Sequence, residues 1–281
     1  MQVQEGEAIF FNSSKFSLVS EEVVVLRQFV HQHPGCQHLL SLHPLILNNL
    51  LKRHNILQVA FLKVKEYPGH YLCVANTHLF YHPMGDHIRL LQVEICIKFL
   101  ESAMEKFRQK VGMDAQVAVT FCGDFNSCPC IAAYNYILSG AVSKEHPDWQ
   151  VYRMTEIPPC NCDHKSLNVI HEDDEHQLEA ELQALEETDD DGASSEAVDR
   201  LDLKHGFHFS NACGTTHATN ITISWKGVLD YIFIDSDHLA VDRMIPLPPD
   251  EQLTEFVALP SIYFPSDHVA LVVDLKWKSD S

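Results

Sequence analysis

Four short stretches of the chain carry side chains able to do acid–base or charge-stabilising chemistry. ANTHLFYHP holds His78, FCGDFNSCP holds Asp124 and Asn126, LDYIF holds Asp230, and PSDHVAL holds Asp267 and His268. Residues two apart on a strand share a face, so Asp124 and Asn126 point a carboxylate and an amide together where an apolar strand ends. A polar turn is the competing reading, because Gly, Asp, Asn and Ser are common turn formers. Asp230 lies within VLDYIFI, where a carboxylate is costly unless paired. Its natural partner is a histidine, whose tautomer it would fix and whose charged form it would stabilise. Each motif is weak alone; four in series, at strand ends or inside an apolar strand, form a joint signal.

These groups need strands and helices to hold them. EAIFF and FSLVS read as a first strand pair, and 56–65 and 70–78 as strands joined by Pro68-Gly69. The spacing of Ile88, Leu91, Ile95, Phe99 and Ala103 predicts a helix over 86–110 with one apolar face. QVAVTFC (116–122) is the strand that delivers Asp124, and IAAYNYILSG is a helix closed by Gly140. VLDYIFI (228–234) and VALVVDLKW (269–277) read as late buried strands.

At 281 residues and 46% hydrophobic content the chain can bury a sizeable core. No apolar run reaches membrane-spanning length, and MQVQEGEAIFF has no basic segment followed by an apolar one, so neither a membrane nor a secretory signal is expected. Nine cysteines without a disulfide frame point to a reducing compartment. Cys128/Cys130 and Cys160/Cys162 (followed by His164) have one intervening residue, against two to four in the usual zinc pair, which favours ordinary thiols. The net charge of −19 opposes a polyanionic partner, but residues 171–202 hold −13 of it and the rest of the chain only −6. The polar stretch 163–206 reads as an acidic surface insertion in a single domain spanning 1–281, with EHQLEAELQALEE a lone helix.

The order Thr-His, Gly-Asp-Phe-Asn, Leu-Asp-Tyr, Ser-Asp-His resembles the endonuclease/exonuclease/phosphatase superfamily. ANTHLFYHPMGDHIRLLQ, FCGDFNSCP, LDYIFIDSDHLAVDRMIPLP and ALPSIYFPSDHVALVVDLKWK look most like its 2′,5′-phosphodiesterase 12 branch, with deadenylases as more distant kin. The resemblance implies an α+β fold, a two-sheet β-sandwich flanked by helices, with the site where the sheets meet. It implies a Mg2+-dependent (or Mn2+-dependent) phosphodiesterase that shortens 2′,5′-oligoadenylate and 3′ poly(A) to AMP. A general poly(A) deadenylase and an inactive relative are the alternatives.

By the same resemblance Asp124 orients or activates the attacking water, Asn126 lies beside the scissile phosphate, and His78 and His268 stabilise developing charge. Asp230 orients His268, while Asp124, Asn126 and Asp267 stand near the metal. Trp225 matches the aromatic that stacks on adenine, and Pro83 the proline that closes its other side. The implied partner is the 3′ end of oligoadenylate or poly(A), not duplex DNA or a membrane, and the implied compartment is intracellular, the mitochondrial matrix. The superfamily's principal metal-binding glutamate lies in a Gln-Glu-Val-Asp-like strand well upstream. Gln4-Glu5 abuts the EAIFF strand and does not match it, so an N-terminally incomplete domain is expected, and this is what supports the inactive alternative for the 281 residues alone.

Overall fold

The computed structural model describes residues 6–30, 50–83, 85–112, 114–149, 202–223 and 225–278. Strand β1 (Phe16–Val25) runs into a single turn, α1 (Leu26–Phe29), and is followed by β2 (Ile56–Val64) and β3 (His70–His78). The long helix α2 (Asp86–Val111) leads to β4 (Gln116–Asp124), then to α3 (Ala132–Ser139) and β5 (Ala141–Val142). After β6 (Leu203–Lys204) and β7 (Phe209–Asn211) come the short pair β8 (Asn220–Ile221) and β9 (Lys226–Gly227), then β10 (Asp230–Asp235) and β11 (Leu239–Met244). A turn, α4 (Asp250–Leu253), and β12 (Val273–Trp277) close the order.

The main sheet has six strands in the order β1-β2-β3-β4-β10-β7. Every neighbouring pair is antiparallel except β3 and β4, which run parallel. Helix α2 is the crossover that a parallel pair requires. Alternation sorts the central strands. Cys73 and Ala75 of β3, Val117, Val119 and Phe121 of β4, and Tyr231 and Phe233 of β10 join the large cluster with α2 and α3. Leu72, Ala118, Ile232 and Ile234, on the opposite face, pack against Leu239, Val273, Leu275 and Trp277 of the β11–β12 hairpin. The α+β architecture is thus helices, a mixed six-stranded sheet and, over part of its other face, a two-stranded second layer.

Several boundaries differ from expectation. Among residues 6–12, EAIFF is not a strand; FSLVS continues through Val25 and pairs with β2 with one register break between Leu18 and Ser20. The first half of α2 is buried on all sides, not on one face, because Arg89, Gln92 and Glu94 point into protein along with the apolar side chains. Their polarity is answered there: Tyr136 donates its hydroxyl to Glu94, and Gln92 and Arg89 hold backbone of the loop after β3. The last strand is Val273–Trp277, and residues 269–272 lie outside it. Helix α3 ends as expected, with Gly140 in the left-handed region and its N–H donated to Tyr136.

The expected acidic insertion lies mostly outside the described residues, as do Gln4, Glu5, Cys160, Cys162 and His164. Its far end belongs to the fold, since Leu203–Lys204 pairs with Ala141–Val142. The six cysteines described are free thiols, and burial pushes that of Cys128 up to about 12. No helix among the described residues is long and apolar enough to cross a membrane.

Candidate active site

Three adjacent strands end together. His78, the last residue of β3, pairs in register with Asp124, the last of β4, and Asp124 pairs with Asp230, the first of β10. Directly opposed side chains stand about 5 Å apart on one face, so the sheet places imidazole, carboxylate and carboxylate in a row. All three share the face covered lower down by the hairpin. Asp230 is therefore at the mouth of its strand and not within it, with its side chain 21% exposed.

The row depends on Gly123. Its φ is +139°, and a Cβ there would lie 1.9 Å from the carbonyl oxygen of Thr77. Only glycine permits β3 and β4 to close so tightly beside His78 and Asp124. Thr77 points to the opposite face, buried, and donates its hydroxyl to the carbonyl of Ile56 at 2.7 Å. The Thr-His and Gly-Asp motifs thus pair a structural residue with a chemical one.

His268 completes the group from a different element. Its backbone bridges Asn220, and its Nδ1 meets Asp230 Oδ2 at 2.8 Å. Its Nε2 faces Asp124 Oδ2 at 3.7 Å, and His78 Nε2 approaches the same oxygen at 3.5 Å. The other Asp124 oxygen accepts the N–H of Asn126 at 2.8 Å. Asn126 sits in the left-handed region, φ +48°, which asparagine tolerates, and donates its side-chain amide to the carbonyl of Leu79 at 2.9 Å. FCGDFNSCP is therefore both a turn and a site.

Electrostatics follow from this packing. Burial, with Asp230 close by, raises the Asp124 carboxyl to about 6. The hydrogen bond that His268 donates to Asp230 raises its imidazole to about 9, against burial. Both follow from the general rule that burial disfavours charge and an opposite neighbour restores it. At neutral pH the pair Asp230–His268 is a charged donor aimed past Asp124.

Asp124, Asp230 and His268 can bring one ligand atom each within 4.8 Å of one another, a group able to hold a metal ion. Two carboxylates and an imidazole suit a divalent cation. His268 can serve as a ligand only when neutral, and the Asp230 bond works against that. Asp124 is thus the donor best placed for a hard cation. Asp267 stands apart from this group, its Oδ2 accepting the amide of Asn220 at 3.2 Å.

Trp225 lies at the end of the β8–β9 turn, half-buried, its ring packed so closely on Gly227 that a Cβ there would meet it at 2.5 Å. Its N–H is held by Thr222 Oγ1 at 3.0 Å. Pro83 is exposed at the end of the loop after β3, its carbonyl accepting from Arg89 at 3.3 Å.

Sequence reasoning missed the supports. Asn55 donates to the carbonyl of His78 at 2.8 Å and accepts from Gln92, which in turn accepts the N–H of Phe80 at 2.9 Å. Arg89, buried, bonds the carbonyls of Phe80, His82 and Pro83 and pairs with Asp86. Thr219 accepts the N–H groups of Leu229 and Asp230 at 3.0 and 3.1 Å. Polar residues on the helical face 86–94 were the available signal, since nothing but a partner explains Arg, Gln and Glu among Ile, Leu and Val.

No family model matches the chain. It is similar in fold to the crystal structure of ANGEL2, a 2′,3′-cyclic phosphatase, in complex with adenosine-2′,3′-vanadate: TM-score 0.61 at 23% identity, covering 94% of this chain and 68% of that one. It is 33% identical over 279 residues to 2′,5′-phosphodiesterase 12 of Mus musculus, and 33% identical over 277 residues to that of Homo sapiens. Either match covers 98% of this chain and 38% of the relative. The Ccr4 3′-5′-exoribonuclease subunit of the CCR4-Not complex of Aspergillus niger is 25% identical, again over 98% of this chain and 38% of its own length. The chain has the endonuclease/exonuclease/phosphatase fold. By sequence it is a homologue of 2′,5′-phosphodiesterase 12 and spans about two fifths of the length of those curated relatives.

Proposed function

We propose that the protein is a metal-dependent phosphodiesterase that removes AMP from the 3′ end of 2′,5′-oligoadenylate and of poly(A), with Mg2+, or Mn2+, as its cation. The observation that carries the proposal is the row His78–Asp124–Asp230 with His268 closing it, a carboxylate flanked by two imidazoles at one end of a rigid sheet. Its relatives, a 2′,5′-phosphodiesterase and an exoribonuclease, support the same bond type.

Hydrolysis adds water to phosphorus and breaks the bond to the ribose oxygen of the preceding nucleotide, which leaves with a proton. Asp124 orients that water and takes its proton. A bound cation would neutralise phosphate charge and lower the water's pKa, held by Asp124 with Asn126 contributing. His268, kept charged by Asp230, and His78 donate to the oxygens on which charge builds, an effect strongest where water is excluded. Trp225 stacks on the terminal adenine and Pro83 bounds its other side. Stacking suits a chain with little positive charge to offer a phosphate backbone. The reading takes the chain as one catalytic domain and, from the family resemblance of its motifs, sets it inside the cell, in the mitochondrial matrix.

The test is release of AMP from 2′,5′-triadenylate and from 3′,5′-oligoadenylate, with Mg2+ and with chelator. The reading expects release that requires the cation and falls at least about 100-fold in His268→Ala, the scale of lost charge stabilisation. Release unaffected by chelator, or equal in that variant, refutes it.

A further inference from the structure

Near the site lies a set of exposed apolar side chains that the proposed chemistry does not use. On the segment 254–264, Phe256 is 44% exposed, Val257 76%, Ile262 79% and Tyr263 70%, and Ile223 of the β8–β9 turn is 80% exposed. Soluble proteins rarely leave such side chains contiguous without a use. The segment is held against the site. Ile221 donates its N–H to the carbonyl of Asp267 and accepts that of Leu259, both at 3.0 Å. Backbones so paired lie about 5 Å apart, so Leu259 and the Asp267-His268 stretch flank the same strand residue.

Two further features fix the conformation of the aromatic pair. Phe256 and Tyr263 contact each other with ring centroids 5.4 Å apart and planes inclined at 55°. Between them Val257 has φ +79°, a conformation that a β-branched residue adopts only under constraint. Ser261 ties the other end, accepting the N–H groups of Tyr263 and Phe264 at 3.3 and 3.2 Å. The segment 254–264 carries a single charged side chain, Glu255, and no cation. A phosphate chain passing it meets no ionic anchor there, so any grip must come through the faces of its bases.

We infer that Phe256 and Tyr263 form a second base-stacking subsite, taking the base of the nucleotide on the leaving side of the scissile bond. This rests on the proposed phosphodiesterase reading. The occupant is a single-stranded oligonucleotide, because exposed aromatics beside a phosphoryl site give sequence-tolerant affinity that needs no positive charge. The subsite would make turnover depend on a base at the penultimate position, whatever its identity.

The test uses 2′,5′-triadenylate with and without its penultimate base, with kcat/KM as readout. The wild-type protein should lose about tenfold or more on the abasic substrate, the scale of one base stack. Phe256→Ala/Tyr263→Ala should lose a similar factor on the intact substrate and nothing further on the abasic one. Phe256→Leu/Tyr263→Leu keeps apolar surface without the ring faces and should behave like the alanine pair, with an unchanged melting temperature. A full abasic penalty in the alanine pair overturns the subsite. So do wild-type kinetics in that pair accompanied by a changed oligomeric state, which would assign the patch to protein contact. Absence of any oligoadenylate hydrolysis by the wild type fails the phosphodiesterase reading itself, a result distinguishable from turnover that ignores the penultimate base.

Discussion

The site is shared by two regions of unequal strength. His78, Asp124 and Asp230 stand on the central strands of a six-stranded sheet, above a core that includes Phe121, Phe125, Tyr231, Phe233 and the full length of α2. Asp267, His268 and Trp225 stand on the short β8–β9 ladder and its flanks, whose own core is Ala218, Ile221, Leu253, Leu259 and Val269. Fully burying a large aliphatic side chain stabilises by about 1.5–3 kcal/mol, and ordering each residue's backbone costs about 1–2 kcal/mol. Four such side chains and an alanine cannot order the segments they hold; the large core does that for the central strands. The ladder is held by docking on the sheet, through Thr219 to Asp230 and through Asp230 to His268. Position is thus set by the sheet, and closure by a part that can open at lower cost.

The comparison is broken most severely at Asp124. Asp124→Ala should lower kcat at least about 1,000-fold, several kcal/mol of transition-state stabilisation, while the melting temperature stays level or rises as a buried carboxylate is removed. Near-normal turnover in a folded variant would remove Asp124 from the chemistry.

Gly123→Ala attacks the same region through its backbone. The added Cβ must move Thr77 or β4, and we expect a loss of about 3 kcal/mol from overpacking and strain together. Chemical denaturation should show a lower midpoint with an unchanged slope, and a wild-type midpoint would mean that the strands can separate there freely.

Leu259→Ala strikes the weaker region. The cavity should cost about 2–4 kcal/mol locally, yet hydrogen exchange should quicken chiefly at residues 218–221 and 267–269. Slow exchange retained in β3, β4 and β10 is the expected contrast; uniform loss of protection would show one cooperative unit.

The smallest effect joins the two regions and depends on pH. His268 is raised from 6.5 to about 9 by Asp230, so the stabilisation from its charged form is fully present below about pH 6.5 and lost as pH rises through 9. Asp230→Asn should therefore be less stable than wild type at pH 6.5, with the gap in melting temperature narrowing by pH 9.5. A gap independent of pH would mean that the bond between sheet and ladder owes nothing to charge.

Much of this was legible in the chain itself. Period-two burial and apolar runs marked β2, β3 and β4 to within two residues, and the 3.6-residue period marked α2, because both patterns are local consequences of side-chain direction. The pairing of a buried acid with a histidine was readable from the cost of leaving Asp230 alone, and Asp230 does bond His268. The later strands were harder. β11 (Leu239–Met244) is exposed over most of its length and carries no alternating signal, and residues 269–272 are apolar yet not in a strand.

Only the tertiary structure decided which groups meet. Register is a property of two strands, so no single stretch could say that His78, Asp124 and Asp230 stand in one row. The separation of Asp267 from that row is likewise set by Asn220, 47 residues away. Gly123 reads in the sequence as a turn glycine; only the approach of Thr77 shows that it is required to let two strands touch. The chain by itself determined which side chains could do chemistry, because residue type and apolar patterning are local. Their distances, and the protonation that follows from them, came from contacts between elements far apart in the chain, and these exist only once the sheet has formed.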